Sequence, residues 1–450
     1  MVSKGKSQMK LGAFIMSVGH HVAAWRHPEA GATDILNIDF YKNIAQTAER
    51  GKFDMLFLAD VLSVQDDDAS LKYKASIYFE PLTLLSALST VTKHIGLAAT
   101  ISTSYNEPFH IARKVASLDH ISKGRAAWNV VTSNLESEAL NFNRKNHLEH
   151  AVRYERAREF LEVVKGLWDS WEKDALIIDK KTGVFADEKK VHTLNHQKRF
   201  FSVKGPLNIS NPPQGHPVII QAGSSEAGKQ LAAETADVIF TAWQTLKEAQ
   251  AFYKEVKSLV GDYGRSPEDL KIMPGVLPII GKTEQEAKEK EQLLQELVLP
   301  ELGVSLLSGL LGIDLSTYPI DGPLPDLPNV DEINGGKSRY QLLLDLAKRE
   351  KLTIRQLSLR IAGARGHRTI KGTAEQIADQ LEEWFINDAA DGFNIMPPYF
   401  PGGLADFVDF VIPELQRRGL FRTEYTGKTL RDHLGLKRPG NQFVKALQQT

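Results

Sequence analysis

Eight short apolar segments are spaced along the chain, and stretches with helical periodicity separate them. These segments lack the alternation of apolar and polar residues that is typical of a strand with one face in water. Strands that are covered by helices on both faces have such uninterrupted apolar runs. The pattern therefore predicts eight buried strands, at Leu11–Met16, Met55–Ala59, Ile95–Ile101, Ala126–Val131, Val218–Gln221, Val238–Thr241, Ile272–Ile280 and Gly392–Met396.

The first four strands are each followed by a predicted helix. Proline at positions 81 and 108 suits a first helical turn, where the missing N–H has no intrahelical partner. Alternation of strand and helix predicts an α/β fold, and eight such units can close into a (β/α)₈ barrel. An open doubly wound sheet fits the same alternation. The predicted helices are Phe40–Arg50, Pro81–Thr92, Pro108–Ile121 and His150–Trp171.

Two insertions interrupt the alternation. Residues 174–216 are rich in Gly, Lys, Asp and Asn around short apolar segments, and they predict a surface excursion with room for a hairpin. Residues 283–370 predict a charged helix over Thr283–Val298, a proline-rich span and a second helix over Lys337–Glu350. A long ordered insertion of this kind is typical of a lid. We expect one domain over residues 1–450, with this lid inside it and a C-terminal arm at 419–450.

Composition narrows the function. The 55 Lys and Arg residues balance 56 Asp and Glu residues, so no basic surplus favours a nucleic acid or an anionic membrane as partner. The chain has no cysteine, which excludes disulfides and thiolate chemistry. Redox chemistry would then require a bound organic cofactor or a metal held by His and carboxylates. No long apolar window or signal segment is found, and we expect a cytoplasmic protein.

The segment VIIQAGSSEAGKQLA, residues 218–232, predicts an anion site. An apolar strand is followed by Gly223, Ser224 and Ser225 and then by a predicted helix. In this arrangement backbone N–H groups, the serine hydroxyls and the helix dipole can bind a phosphate. A serine-capped turn without a ligand is the alternative. The segment also approaches the nucleotide-binding P-loop pattern, but Gln230 stands where Ser or Thr would hold Mg²⁺, which disfavours an NTPase.

His150 and Tyr154 are four residues apart at the start of a helix, so both lie on one face and could reach the same phosphate. The alternative is that Tyr154 begins the apolar stripe of that helix and His150 is exposed.

Polar residues also mark the ends of predicted strands. Asp60, Thr100 and Asn129 lie in or just after apolar runs, and the carboxyl ends of barrel strands face the active-site mouth. A buried polar side chain needs a partner, which is either a loop backbone or a ligand.

Histidines suggest two further roles. The loop SVGHHVAAWRHP, residues 17–28, contains His20, whose imidazole could polarise a substrate or relay a proton. The spacing of His192 and His196 suits two metal ligands, but two ligands seldom suffice, so no metal is predicted.

Five motifs in order resemble the bacterial-luciferase-like superfamily, in particular its branch of nitrilotriacetate, EDTA, dibenzothiophene-sulfone and long-chain alkane monooxygenases. The motifs are WRHP at 25–28, FLAD at 57–60, SLDHISKGRAAWNVVTS at 117–133, QAGSSEAG at 221–228 and ADGFNI at 390–395. The alkane-oxidising relative has a cysteine where this chain has Ser17, so alkane oxidation is not expected.

The resemblance implies a TIM barrel with FMN across its C-terminal mouth. It places Asp60, Thr100 and Asn129 beside the isoalloxazine or ribityl chain, and His20 on the substrate side. The phosphate would be held by His150, Tyr154, Ser224 and Ser225.

The implied reaction uses reduced FMN from a separate NAD(P)H:flavin reductase. Together with O₂ it oxygenates a small organosulfur or N-substituted carboxylate substrate through a flavin C4a-(hydro)peroxide. A homodimer or higher homo-oligomer is expected. The alternatives are a flavin- or F420-dependent oxidoreductase that does not use O₂, and a non-catalytic flavin-binding protein.

Overall fold

Eight parallel strands form a closed barrel in the computed structural model, which describes residues 8–65, 67–333 and 336–447. Each strand pairs with the next, and the ring closes where β8 pairs with β1, for example Lys10 with Gly392. The eight predicted strands are confirmed, and the open sheet is wrong. The strands are β1 Lys10–Ile15, β2 Met55–Leu58, β3 Gly96–Ser102, β4 Ala126–Val131, β5 Val218–Gln221, β6 Val238–Thr241, β7 Lys271–Ile280 and β8 Gly392–Ile395.

Helices cover the outside of the barrel. The main ones are α1 Ile38–Arg50, α2 Pro81–Leu88, α3 Pro108–Ile121, α4 His150–Trp168, α5 Glu226–Thr235, α6 Leu246–Asp262, α7 Glu284–Glu296, α8 Pro300–Leu311, α9 Lys337–Glu350, α10 Ile354–Ala364 and α11 Ala374–Ile386. After β8 a helical stretch combines Gly402–Asp406, a π-helical turn Phe407–Val411 and Ile412–Arg417. Shorter helices are Asp68–Tyr73, Glu136–Leu140, Leu430–Leu434 and Gln442–Leu447.

The helix α2 ends four residues earlier than its predicted end at Thr92. The hydroxyls of Ser89, Thr90 and Thr92 bond back to carbonyl groups one turn earlier, at 2.6, 2.7 and 2.9 Å. Such side chains offer the backbone an alternative to helical hydrogen bonds, which explains the early end.

The core has an inner and an outer layer. Side chains from alternate positions of the strands, such as Phe14, Phe57 and Phe240, fill the barrel interior with edge-on aromatic contacts at 4.7 and 5.2 Å. The outer layer packs the opposite strand faces against the helices, for example Trp128 against Phe160. Burial on both faces explains why the strands have uninterrupted apolar sequences.

Two small hairpins occupy the first insertion, which agrees with the predicted surface excursion. They pair Leu176–Asp179 with Val184–Ala186 and His196–Gln197 with Ser202–Val203.

The second insertion contains α7 to α10 and an irregular proline-rich span at 318–329. Both predicted helices of this insertion are confirmed, whereas α8, α10 and a strand at Arg368–Gly372 were not predicted. The helices α8, α9 and α10 share an apolar cluster of their own, and the extra strand pairs with the second half of β7.

We searched the described part of the chain for helices that could cross a membrane. No single helix is long and apolar enough, and α7 with α8 meet the length and composition limits only as a pair bent by 84°.

Aspartates bind the free strand ends at the base of the barrel. The residue just before β2, β6 or β8 is an aspartate, and its carboxylate accepts a hydrogen bond from the neighbouring strand's backbone. The pairs are Leu11 N to Asp54 Oδ2 at 2.7 Å, Ile219 N to Asp237 Oδ2 at 2.8 Å and Ile272 N to Asp391 Oδ2 at 2.8 Å. Each carboxylate satisfies a strand N–H that has no sheet partner.

The C-terminal arm packs against this base of its own barrel. Arg431 forms a two-pronged ion pair with Asp237, at 3.1 and 2.7 Å, and Arg422 pairs with Asp54. The side chains of Leu430 and Leu434 join the inner core. Burial tends to raise the pKa of Asp237, but the charge of Arg431 and its hydrogen bond outweigh burial and lower this pKa.

We expect Arg431→Met to lower the free energy of unfolding by about 3–5 kcal/mol, because it leaves the buried carboxylate of Asp237 without its cation. Urea unfolding measures this loss. Arg438→Met is the matched control, since Arg438 is exposed and donates to the Pro213 carbonyl and to Asn211, and we expect a loss within about 1 kcal/mol.

The same pair gives a pH dependence. The pKa of Asp237 is lowered in the folded chain, so its ionised carboxylate contributes to the free energy of unfolding at pH values above the usual aspartate pKa. This contribution is lost as the pH falls through the lowered pKa. The difference between wild type and Arg431→Met should therefore shrink below about pH 4. An equal difference at neutral and acidic pH would contradict this account.

Candidate functional site

A cavity of about 660 Å³ opens at the carboxyl ends of the barrel strands. Residues that follow β2, β4, β5 and β6 form its inner walls, and the first turns of α4 and α5 form one end. Side chains of α9 from the second insertion form the outer wall. This is the position at which TIM-barrel enzymes carry their active sites.

One end of the cavity is built around two glycines. A Cβ atom added to Gly223 would lie 3.1 Å from the Gly228 Cα and 3.1 Å from the Tyr154 hydroxyl oxygen. A Cβ atom on Gly228 would lie 3.0 Å from the Gly223 Cα. Only glycine permits this approach, which brings the strand end against the first turn of α5 and leaves its N-terminus open to the cavity.

The predicted phosphate residues lie together at this end. His150, Tyr154, Ser224 and Ser225 all line the cavity. Ser225 is the N-cap of α5 and accepts a hydrogen bond from Gly228 N at 3.3 Å. The hydroxyl of Tyr154 hydrogen bonds with Ser225, and the rings of Tyr154 and His150 are 4.8 Å apart.

Two cations lie around this end, together with the exposed carboxylate of Glu226, which pairs with Lys229 at 2.9 Å. Arg153 and Lys337 line the same wall, and burial together with these two cations lowers the pKa of His150. Burial raises the pKa of Tyr154, whose phenol therefore keeps its proton and can donate it in a hydrogen bond. Hydroxyl donors, a helix N-terminus and nearby cations together suit a phosphate group.

The middle of the cavity presents polar atoms that have no partner among the described residues. They are Gln221 Oε1, Thr241 Oγ1 and Trp243 Nε1, and all three side chains line the cavity. Buried polar groups are nearly always hydrogen-bonded, so these atoms point to a polar ligand. Gln221 and Thr241 are the last residues of β5 and β6. The expectation that polar residues at the carboxyl ends of strands face the active-site mouth would have identified both residues, had it been applied to β5 and β6.

Asp60 also lines the cavity, at the end of β2. Burial raises the pKa of this carboxyl to about 6, and the carboxylates of Glu80 and Glu138 act in the same direction. Asp60 therefore exchanges a proton more readily near neutral pH than an ordinary aspartate does.

Thr100 and Asn129 do not line the cavity. They face each other in the register of β3 and β4, and Asn129 Nδ2 donates to Thr100 Oγ1 at 2.9 Å. Both strands continue for two further residues, so the cavity wall is formed later, at residues 130–134. Asn129 Oδ1 is buried and has no partner among the described residues.

His20 is fully buried and does not line the cavity. Its Nε2 lies 2.9 Å from the Phe14 carbonyl oxygen, and its ring packs on Phe14 at 4.4 Å. Burial lowers its pKa to about 3, with a further contribution from the charge of Arg365. His20 follows the carboxyl end of β1, and its charge acts on His367, which lines the cavity.

The two histidines whose spacing suits metal ligands have partners within the protein. His192 bonds with Glu172 at 2.8 Å and His196 with Glu159 at 3.2 Å. No group of three His, Asp or Glu residues that could hold a metal ion occurs in residues 8–65, 67–333 and 336–447.

Sequence reasoning missed Arg339 and His367, which the second insertion brings to the cavity. Arg339 Nη2 lies 3.3 Å from His367 Nε2, and the His367 ring stacks on Phe240 with centroids 4.9 Å apart. No local pattern marks these residues, because they reach the barrel through the tertiary packing of the insertion.

Comparison with known proteins identifies the family. The sequence profile described as luciferase-like monooxygenase matches residues 13–391. The chain is 56% identical to N-acetyl-S-(2-succino)cysteine monooxygenase of Bacillus subtilis (strain 168), over 99% of this chain and 100% of that protein. It is 53% identical to nitrilotriacetate monooxygenase component A of Aminobacter aminovorans, over 97% and 98%.

The crystal structure of riboflavin lyase with modified FMN and its substrate riboflavin superposes with a TM-score of 0.86. The two chains are 31% identical in sequence, over 96% of this chain and 97% of that chain. Both sequence relatives are named as monooxygenases, which disfavours an oxidoreductase that does not use O₂ and a non-catalytic flavin-binding protein. Because the profile and the relatives cover most of its length, this chain belongs to the luciferase-like monooxygenase family and is a flavin-dependent monooxygenase.

Proposed function

We propose that the protein uses reduced FMN, supplied by a separate NAD(P)H:flavin reductase, and O₂ to oxygenate a small organosulfur or N-substituted carboxylate. One observation carries the proposal: a single cavity combines a phosphate-binding end with unpartnered polar atoms toward the barrel axis. Two relatives support the substrate class, since one acts on a thioether carboxylate and the other on nitrilotriacetate. The relative from Aminobacter aminovorans is called component A, which supports a separate second component.

The residues at the two-glycine end fit the phosphate of FMN. Ser224, Ser225 and Tyr154 would donate hydroxyl hydrogen bonds, and His150 would contribute from the first turn of α4. The cationic surroundings suit a dianion, and the close approach of Gly223 and Gly228 keeps the first N–H groups of α5 accessible.

The middle of the cavity fits the ribityl chain and the edge of an isoalloxazine ring. Gln221, Thr241 and Trp243 would supply one acceptor, one hydroxyl and one donor. Asp60 would face the same ligand from the end of β2, while Thr100 and Asn129 would act from behind the wall. When bound there, reduced FMN supplies the electrons and activates O₂.

The second insertion would act as the lid. Lys337, Arg339 and Leu342 of α9 line the outer wall and would exclude water from the reacting atoms. Its own apolar cluster lets the insertion move as a unit relative to the barrel. The homo-oligomer implied by the family resemblance stays a prediction.

The function is tested with the purified protein, a flavin reductase, NADH, FMN and ¹⁸O₂. Thioether and tertiary-amine carboxylates are screened by mass spectrometry, and we expect one labelled oxygen in the product or in its carbonyl fragment. Turnover that is equally fast without O₂, or oxygen that comes only from water, would contradict the proposal.

The phosphate assignment is tested by fluorescence titration of FMN and of riboflavin, which lacks the phosphate. Tyr154→Phe and Ser224→Ala should each weaken FMN binding by about 1.5–3 kcal/mol, because each removes a hydrogen bond to a charged group. Riboflavin binding should change little. Tyr263→Phe is the control, since this phenol bonds to Gln230 on the outside of the barrel. Equal affinity of the wild type for FMN and riboflavin would contradict the assignment.

Asp60 predicts a pH effect on the stability of the protein without flavin. Its pKa is raised in the folded chain, so ionisation of Asp60 opposes folding; this cost is absent below about pH 4 and complete above about pH 6. Asp60→Asn should therefore raise the melting temperature by about 1–3 °C near pH 8 and by less near pH 5. A stabilisation that is larger at the lower pH would contradict this.

A further inference from the structure

We propose that Arg339 binds a carboxylate group of the substrate, that His367 positions Arg339, and that Arg365 adds a second positive charge to this site. The proposal rests on the proposed function, because it assigns the substrate side of the same cavity. It makes these residues determinants of specificity for carboxylate-bearing substrates.

Arg339 is a cavity residue with an unsatisfied charge. Its Nη1 is buried and has no hydrogen-bond partner, and no carboxylate lies within ion-pair distance of the guanidinium among the described residues. Gly366 packs directly beneath the group, since a Cβ there would lie 2.7 Å from Nη1. A buried guanidinium without an anion is costly, so the geometry points to an anionic ligand.

His367 fixes the direction of this guanidinium. Its ring is held against Phe240, with an angle of 13° between the planes, and burial and the charge of Arg339 hold its pKa well below the usual range. Arginine only donates, so the neutral His367 accepts from Arg339 Nη2 through Nε2. This contact leaves the Nη1 side of the fork for a ligand.

Arg365 stands at a backbone position that favours glycine. It ends α10 with a φ of +53°, and Gly366 follows with a φ of +84°. A side chain in the left-handed region is strained, and such strain is concentrated at functional sites. No carboxylate of the described residues forms an ion pair with Arg365, whose guanidinium contacts the Met16 sulfur.

The cations of this site repel one another. Burial lowers the pKa of Arg365 to about 10, and burial and the charge of Arg365 lower that of Arg339 to about 10. A carboxylate between these groups would relieve the repulsion, and its two oxygens match the planar fork of a guanidinium.

This site differs from the phosphate end. Ser224, Ser225 and Tyr154 lie at the start of α5, whereas Arg339 lies beside His367 and Phe240, above the barrel interior. A carboxylate on Arg339 would therefore lie at a different part of the cavity wall from the phosphate of FMN.

The proposal is tested by calorimetric titration of the FMN-loaded protein with succinate and with its neutral counterpart succinamide. Wild type should bind succinate and not succinamide, and Arg339→Met should weaken succinate binding at least tenfold. Lys348→Met is the matched control on the same helix, because Lys348 is exposed and does not line the cavity, and it should bind succinate as wild type does.

Unchanged succinate binding in Arg339→Met, or equal binding of succinate and succinamide by wild type, would overturn the proposal. FMN affinity is measured in parallel. If Arg339→Met weakens FMN and leaves succinate unaffected, Arg339 belongs to the cofactor site and the proposal fails, while the flavin assignment stands. Failure of the oxygenase function itself is seen separately, in the labelled-oxygen assay.

A second pair of variants separates charge from backbone strain. Arg365→Gly and Lys351→Gly each replace a side chain at a left-handed helix end, and Lys351 is exposed at the end of α9. Both should leave the melting temperature unchanged or raise it. Only Arg365→Gly should weaken succinate binding. For a carboxylate substrate that the enzyme oxygenates, it should raise KM and change kcat little. Equal succinate binding in both variants would remove Arg365 from the site.

Discussion

Parallel pairing of eight strands in a closed ring is the constraint on which the rest of the molecule depends. Parallel strands place all their carboxyl ends at one rim, so residues distant in sequence share a single cavity. The opposite rim must satisfy the first N–H groups of the strands, and Asp54, Asp237 and Asp391 do so. Those carboxylates require cations, which the C-terminal arm supplies for two of them through Arg422 and Arg431. Stability and chemistry are thus separated at the two ends of the barrel.

The barrel could be predicted from the sequence because its signal is local. A strand buried on both faces needs apolar residues at every position, and each of the eight segments meets that need within a few residues. The strand Arg368–Gly372 was not predicted, because it contains half-buried polar residues and pairs with the second half of β7. The packing of α8 against α10 was not predicted either, because it depends on a separate apolar cluster and not on the barrel.

The candidate site divides in the same way. The grouping of the candidate phosphate residues at one end of the cavity could be predicted from two short patterns, a strand that leads into Gly223-Ser224-Ser225 and a pair of residues four apart on α4. Thr100 and Asn129 were expected to face the mouth because they were placed at the ends of predicted strands. In the structure β3 and β4 each continue for two residues beyond them, so these side chains do not line the cavity. Arg339 and His367 could not be predicted, because only the folding of a long insertion brings them over β6.

The two ends of the cavity are therefore built by different means. The barrel supplies the phosphate end, with backbone N–H groups and hydroxyls fixed by the close contact of Gly223 and Gly228. The insertion supplies Arg339 on α9 and His367 on the turn after α10, and its Lys337 also acts on His150 at the phosphate end. Loops tolerate change far better than a closed sheet does. Substitutions at Arg339 can thus alter which molecule binds in the cavity without changing residues of the barrel wall, which fits a family whose members share a fold and differ in substrate.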